Sequence, residues 1–242
     1  MKHTGTTPSY RPQLTLPGQA HTAEGPHDQT GMYVMHHALR RDFDRFAAAV
    51  EGTPIVEHEV WAALERRWVA MADVLHHHHS AEDDELWPLL QQHAEAAGDT
   101  AGLRVLADMD DEHDDIDPAL ENVRDAFASM GVHPCTDHRN ALEIRLGAAH
   151  ELLLSHLAHE EQHALPMLQR SLSEEENTAF EKAVEKRYPL RSIPFLLPWA
   201  MDGVPSDARD RLLESTPPGY GLLLRVFRRR YERVERLAFR FA

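Results

Sequence analysis

The chain has 242 residues with 40 acidic against 25 basic side chains, a formal net charge of −15 that argues against a general nucleic-acid binder. No uninterrupted apolar run approaches the ~20 residues of a membrane span, and the best stretch, Phe195 to Met201, is cut by Pro198. The first residues lack the apolar run of a secretory signal and the single cysteine, Cys135, excludes an internal disulfide, so a cytoplasmic location in a reducing compartment is expected.

Glycine is scarce, at 12 residues, and no segment alternates β-branched and aromatic residues, so the chain reads as all-α. Residues 1–28 hold Pro8, Pro12, Pro17 and Pro26 with little periodicity and are expected to form a flexible arm over the surface. The first helix is expected from about Thr30 to Val50, where His36, Leu39, Phe43, Phe46 and Val50 share one stripe, and it stops at Gly52-Thr53-Pro54. The second runs from about Val56 to Gln92, with Pro88 ending or kinking it. Its seam is Trp61, Leu64, Trp68, Met71, Leu75, His78, Glu82 and Leu89. The third starts at Asp99 as N-cap, reaches Met130 and should bend at Pro118. The fourth follows Asp137 and reaches Arg170, with a seam of Leu142, Leu146, Ala149, Leu153, His156, Glu160 and Met167. Four amphipathic helices joined by short polar turns predict an antiparallel up-down four-helix bundle.

Beyond the bundle, Ser173 and Glu176 form a capping box for a fifth helix to about Arg187, which opens a helical C-terminal extension. From residue 221 onward seven arginines face two glutamates, a local +5 that leaves −20 on residues 1–220. The basic terminal helix is therefore expected to dock on the chain's own acidic bundle.

The seams also carry residues that a core should not. His78 and Glu82 stand on the second seam and His156 and Glu160 on the fourth, each pair spaced i, i+4 so that both side chains leave one helical face. Two buried carboxylates at one level of a bundle repel each other unless a cation lies between them. An internal echo supports the pairing: both helices read H-x3-E-x5-P-x-L, through Pro88 and Leu90 in one and Pro166 and Leu168 in the other. A bundle repeated in halves requires equivalent histidines on helices one and three. His36, followed by Leu39 and Phe43, and His113, followed by Ile116 and Leu120, meet that requirement. His37 instead aligns with Arg40, Arg41 and Asp44, a solvated face, and His76, His77 and His79 read as surface residues or outer neighbours of the ligands.

With His36, His78-x3-Glu82, His113 and His156-x3-Glu160, the chain resembles the hemerythrin-like family, in its HHE cation-binding branch, over roughly residues 30–170. Three regions are expected: an arm over 1–28, a hemerythrin-like bundle over 29–171 and the extension over 172–242. The resemblance implies two non-haem iron ions, oxo- or hydroxo-bridged, with the glutamates bridging and the histidines terminal; manganese is accepted by the same ligand set. It implies a protein that binds or senses dioxygen or a related small molecule such as peroxide or nitric oxide. A di-iron oxidase or peroxidase-type enzyme is the alternative. The tail element Pro198, Trp199, Asp202, Gly203 resembles an extension found in actinobacterial members.

The oxygen-carrying hemerythrins have a second histidine on helix three, four residues from the first. Here those positions are Met109 and Asp117. With four histidines, two bridging glutamates and a bridging oxygen, about two positions on the two metals stay open unless Glu112, His159, His163 or Glu85 adds a ligand, an arrangement that favours reactivity over carriage.

Overall fold

The computed structural model describes residues 10–216 and 219–242, and these form only helices, turns and loops. The bundle consists of α1 (Thr30–Gly52), α2 (His58–Ala81), α3 (Trp87–Ala97), α4 (Thr100–Val132), α5 (Thr136–His159) and α6 (Leu165–Ser171). A π-helical turn over Glu82–Leu86 joins α2 to α3, and a second over Glu160–Ala164 joins α5 to α6. Four rods result, the four amphipathic segments of the sequence.

The prolines explain the π turns. A proline inside an α-helix lacks the N–H that should bond the carbonyl four residues back, and its ring collides with that carbonyl. Widening one turn accommodates the mismatch without ending the rod. Of the two outcomes expected at Pro88, an end or a kink, the rod does not end: α3 continues to Ala97, where Gly98 closes it in the left-handed region at φ 67°. Asp99 then caps α4 by accepting from the Gly102 amide, as its position predicts.

Packing follows the seams. One large apolar cluster joins Phe43 and Phe46 of α1, Trp61, Trp68 and Leu75 of α2, Ile116 and Phe127 of α4 and Leu153 of α5. A second, at the other end of the rods, joins Leu86, Leu90, Met109, Ala164 and Leu168. Between them lies a polar layer. Each seam passes from one cluster to the other through histidines and glutamates: Leu75 to His78, Glu82 and Leu86 on one rod, Leu153 to His156, Glu160 and Ala164 on another. Two apolar plugs therefore flank a polar cross-section.

The extension continues as α7 (Glu174–Arg187), α8 (Ile193–Met201), α9 (Ser206–Ser215) and α10 (Tyr220–Ala238). Ser173 and Glu176 cap α7 reciprocally, as expected. The Pro198-Trp199-x-x-Asp202-Gly203 element has a clear physical task. Trp199 is fully buried in the large cluster, and its indole N–H donates to Asp42 of α1 at 2.7 Å. Arg41 reaches the carbonyls of Trp199 and Asp202, and Gly203 makes the following turn at φ 69°. Buried Asp42 also pairs with Arg67 of α2, which in turn pairs with Glu235 of α10. Arg45 adds a bond to the same glutamate at 2.9 Å. The contact face of α10 is Tyr231, Glu235 and Ala238, followed by Phe239, while Arg225, Arg228, Arg229, Arg230, Arg233, Arg236 and Arg240 are exposed.

Residues 10–28, expected as a flexible arm, are seated on the bundle. Leu16 and Ala23 are buried beside Tyr33, Val34 and Leu165. The Ala20 amide donates to Glu161 at 2.6 Å, and the Gln13 side chain donates to the carbonyls of Gly25 and His27. The remainder of the arm lies outside the described residues.

Candidate metal centre

The polar layer brings together His36 from α1, His78 and His79 from α2, His113 from α4, His156 from α5, and Glu82 and Glu160 from the first positions of the two π turns. All seven side chains are buried. The i, i+4 spacing places His78 Nε2 3.3 Å from Glu82 Oε1, and His36 Nε2 lies 3.0 Å from Glu160 Oε2. His113 Nε2 is 3.2 Å from His156 Nε2 and 3.7 Å from Glu82 Oε2. Ligand atoms lie within 4.8 Å of one another in three sets: His36, His78 and Glu160; His79, His113 and His156; and Glu82, His156 and Glu160.

Buried polar atoms normally find partners, and each orphan costs about 1–3 kcal/mol. Here orphans converge. His36 Nε2, His78 Nε2, both ring nitrogens of His79, and both oxygens of Glu82 and of Glu160 make no aligned hydrogen bond, short distances notwithstanding. A cation within the layer would satisfy them together. An imidazole and carboxylate donor set suits iron, manganese or zinc.

Three of the rings are also held in one orientation from outside. His36 Nδ1 bonds Glu161 at 2.9 Å, His113 Nδ1 bonds Asp83 at 2.7 Å, and His156 Nδ1 bonds Glu112 at 2.9 Å. An ionised carboxylate only accepts, so each Nδ1 carries a proton and each Nε2 is turned toward the centre. Glu161 is itself fixed by Arg40 at 2.7 Å and by the Ala20 amide. The arm thereby reaches the metal layer through one carboxylate.

Electrostatics points the same way. Burial pushes His78 down to about 3, with repulsion from His36 adding to it. Burial also holds His79 well below the usual histidine range and lowers His156. Burial, then repulsion from Glu160 and Asp83, drives Glu82 well above the ordinary carboxylate range. Against their own burial, Glu160 is held down to about 2 chiefly by His36, and His36 is raised to about 9 by Glu160 and Glu161. Imidazoles at His78, His79 and His156 that resist protonation, facing two carboxylates that cannot both ionise comfortably, form a cage for positive charge.

All six residues singled out in the sequence meet in this layer. The reading missed a seventh. His79, grouped above with the surface histidines, is 2% exposed and stacks on His113 with ring centroids 4.0 Å apart. The signal was present: His79 is four residues past Leu75 and three before Glu82, both seam positions. The orienting carboxylates also left a trace, since Asp83 and Glu161 each follow one of the two repeated glutamates and Glu112 precedes His113. Glu112 bonds the Nδ1 atoms of His156 and His159, the latter at 2.8 Å, and stands outside the inner cluster. Glu85 pairs with Arg187, and His163 is exposed against His159.

On one side the layer is open to a cavity of about 520 Å³ between the start of α1, the end of α2 and α7. His78 and Glu82 line it, whereas His113, His156 and Glu160 do not.

An all-helical bundle with histidines and glutamates converging on a buried layer is, as a class, a carboxylate–histidine metal-binding bundle. The model of one family, described as the hemerythrin HHE cation-binding domain, matches residues 29–168. The chain belongs to that family, and it is a cation-binding protein. Comparison with curated proteins and with solved structures finds no match.

Proposed function

We propose that the chain is a non-haem di-iron protein of the cytoplasm that binds or senses dioxygen or a related small molecule such as peroxide or nitric oxide. The observation that carries this reading is the convergence of orphaned, buried nitrogen and oxygen atoms in a layer whose histidines are oriented by outer carboxylates. The ligands are His36, His78, Glu82, His113, His156 and Glu160, with His79 as a seventh. His79, His113 and His156 would hold one ion and His36 and His78 the other, with Glu82 and Glu160 available to both. His79 replaces the histidine missing at Met109 or Asp117, so about one open position is left where six ligands leave two. That position would fall to the ion held by His36 and His78, on the side where His78 lines the cavity.

Two iron ions supply reversible electron transfer to and binding of such small molecules. The protein's own part is to hold Nε2 atoms inward through Glu161, Asp83 and Glu112 and to close the two ends of the layer with the apolar clusters. A second reading, a di-iron oxidase or peroxidase-type enzyme, is favoured by the cavity, which exceeds the needs of a diatomic molecule. Metal analysis with an absorption spectrum before and after reduction and return to air tests both. Two irons with a spectrum that returns reversibly fit binding or sensing. Irreversible reoxidation that consumes dioxygen or peroxide fits the enzyme. A single tetrahedral zinc, or no metal in protein made with ample iron, contradicts both.

A further inference from the structure

We propose that the cavity beside His78 and Glu82 is the binding site of a small organic cation, an apolar body ending in a protonated amine. Only the identity of the floor rests on the metal reading above; walls and mouth stand on their own. At about 520 Å³ the space falls within the 300–1,000 Å³ typical of small-molecule sites and far exceeds the ~30 Å³ that a water molecule occupies. Its walls are largely apolar, with Met32, Met35, Phe180, Val184, Tyr188 and Leu212 contributing. Two methionines adapt to varied shapes, which suits a hydrophobic body.

The polar groups specify the other end of the ligand. Asn177 lines the cavity and is 6% exposed. Its Nδ2 donates to Glu181 at 2.9 Å, which fixes the amide, and its Oδ1 has no partner. A buried lone acceptor calls for an N–H or O–H donor. The charge around it selects a cation. Arg211 neutralises Asp28 at 2.9 Å, leaving Glu181 and Glu185 against Lys182 on the walls. Burial, with Asp28 adding repulsion, already holds the Glu181 carboxyl above its ordinary range, so a positive group there would relieve rather than create strain. An anionic ligand would meet the same acids unfavourably. Helix α7 supplies Asn177, Phe180, Glu181 and Val184. The extension thus forms one whole side of the site.

The test uses the metal-loaded full chain and three probes with one apolar body: phenethylamine, 2-phenylethanol and 3-phenylpropionate. Calorimetry should find the amine bound at least about tenfold more tightly than the alcohol, with the carboxylate weakest. Asn177→Leu and Glu181→Gln should each weaken the amine by about tenfold, and Val184→Trp should abolish binding, all with metal content and spectrum unchanged. Equal affinity for the three probes, or no amine binding to chain that carries its full metal, overturns the proposal. Amine binding by unsubstituted chain that was made with ample iron and carries none would overturn the di-iron reading and leave this one standing.

Discussion

The two halves of the bundle repeat the same device and then diverge. In each, a histidine and a glutamate four residues apart are followed by a π turn and a proline, and in each the residue after the glutamate orients a histidine of another helix. The divergence sits beside the first histidine: His78 is followed by His79, but His156 is followed by Leu157. It also appears at the surface, since Glu82 lines the cavity whereas Glu160 and Glu161 are sealed beneath Arg40 and the arm. The repeat supplies a pair of matched ligand sets. The asymmetry separates the two halves: the one with adjacent histidines faces a cavity, and the one with His156-Leu157 is closed.

The hardest way to break the comparison is to remove a repeated ligand. His78→Ala or His156→Ala should reduce the metal to one ion per chain or fewer, measured by elemental analysis. Nearly as large an effect is expected away from the metal. Arg67→Met leaves Asp42 and Glu235 buried without their shared cation and should cost about 3–5 kcal/mol in urea unfolding, loosening α10 before the bundle. The same network sets an acid limit. Arg67 and Arg41 outweigh burial and hold Asp42 below the ordinary carboxylate range. Its folded value is depressed, so its contribution is fully present above about pH 4 and is lost as pH falls through the lower folded value. A pH series of unfolding midpoints checks this.

A finer test imposes the second half's sequence on the first. His79→Leu copies the His156-Leu157 pairing and should weaken one of two metal-binding steps while leaving the other in place, as read by titration. The smallest effect is expected one layer further out: Glu161→Gln should lower metal affinity by about 10–100-fold without changing the number of ions bound. An unchanged affinity would detach the arm and Arg40 from the centre.

Much of this was readable without coordinates because period and burial speak the same language. A histidine or glutamate on an apolar seam must face the core, so His36, His78, Glu82, His113, His156 and Glu160 announced themselves. The repeat then chose His36 over His37. His79 escaped because a run of four histidines was parsed by a narrow two-position seam, while a bundle helix buries a wider stripe. Pro88 left two outcomes open because a single proline cannot reveal whether a helix stops or opens one wider turn; that depends on packing of the residues beyond it. The extension was the least legible. Trp199 and Glu235 find Asp42 and Arg67 across more than 150 positions of sequence, and no local periodicity encodes such a pairing.

The central claim, two inequivalent ions in one layer, is tested most directly by anaerobic titration of the metal-free chain with ferrous iron. The account predicts two bound ions per chain in two steps, one of which His79→Leu weakens selectively. A single step ending at one ion, or two steps that His79→Leu leaves unmoved, would contradict it.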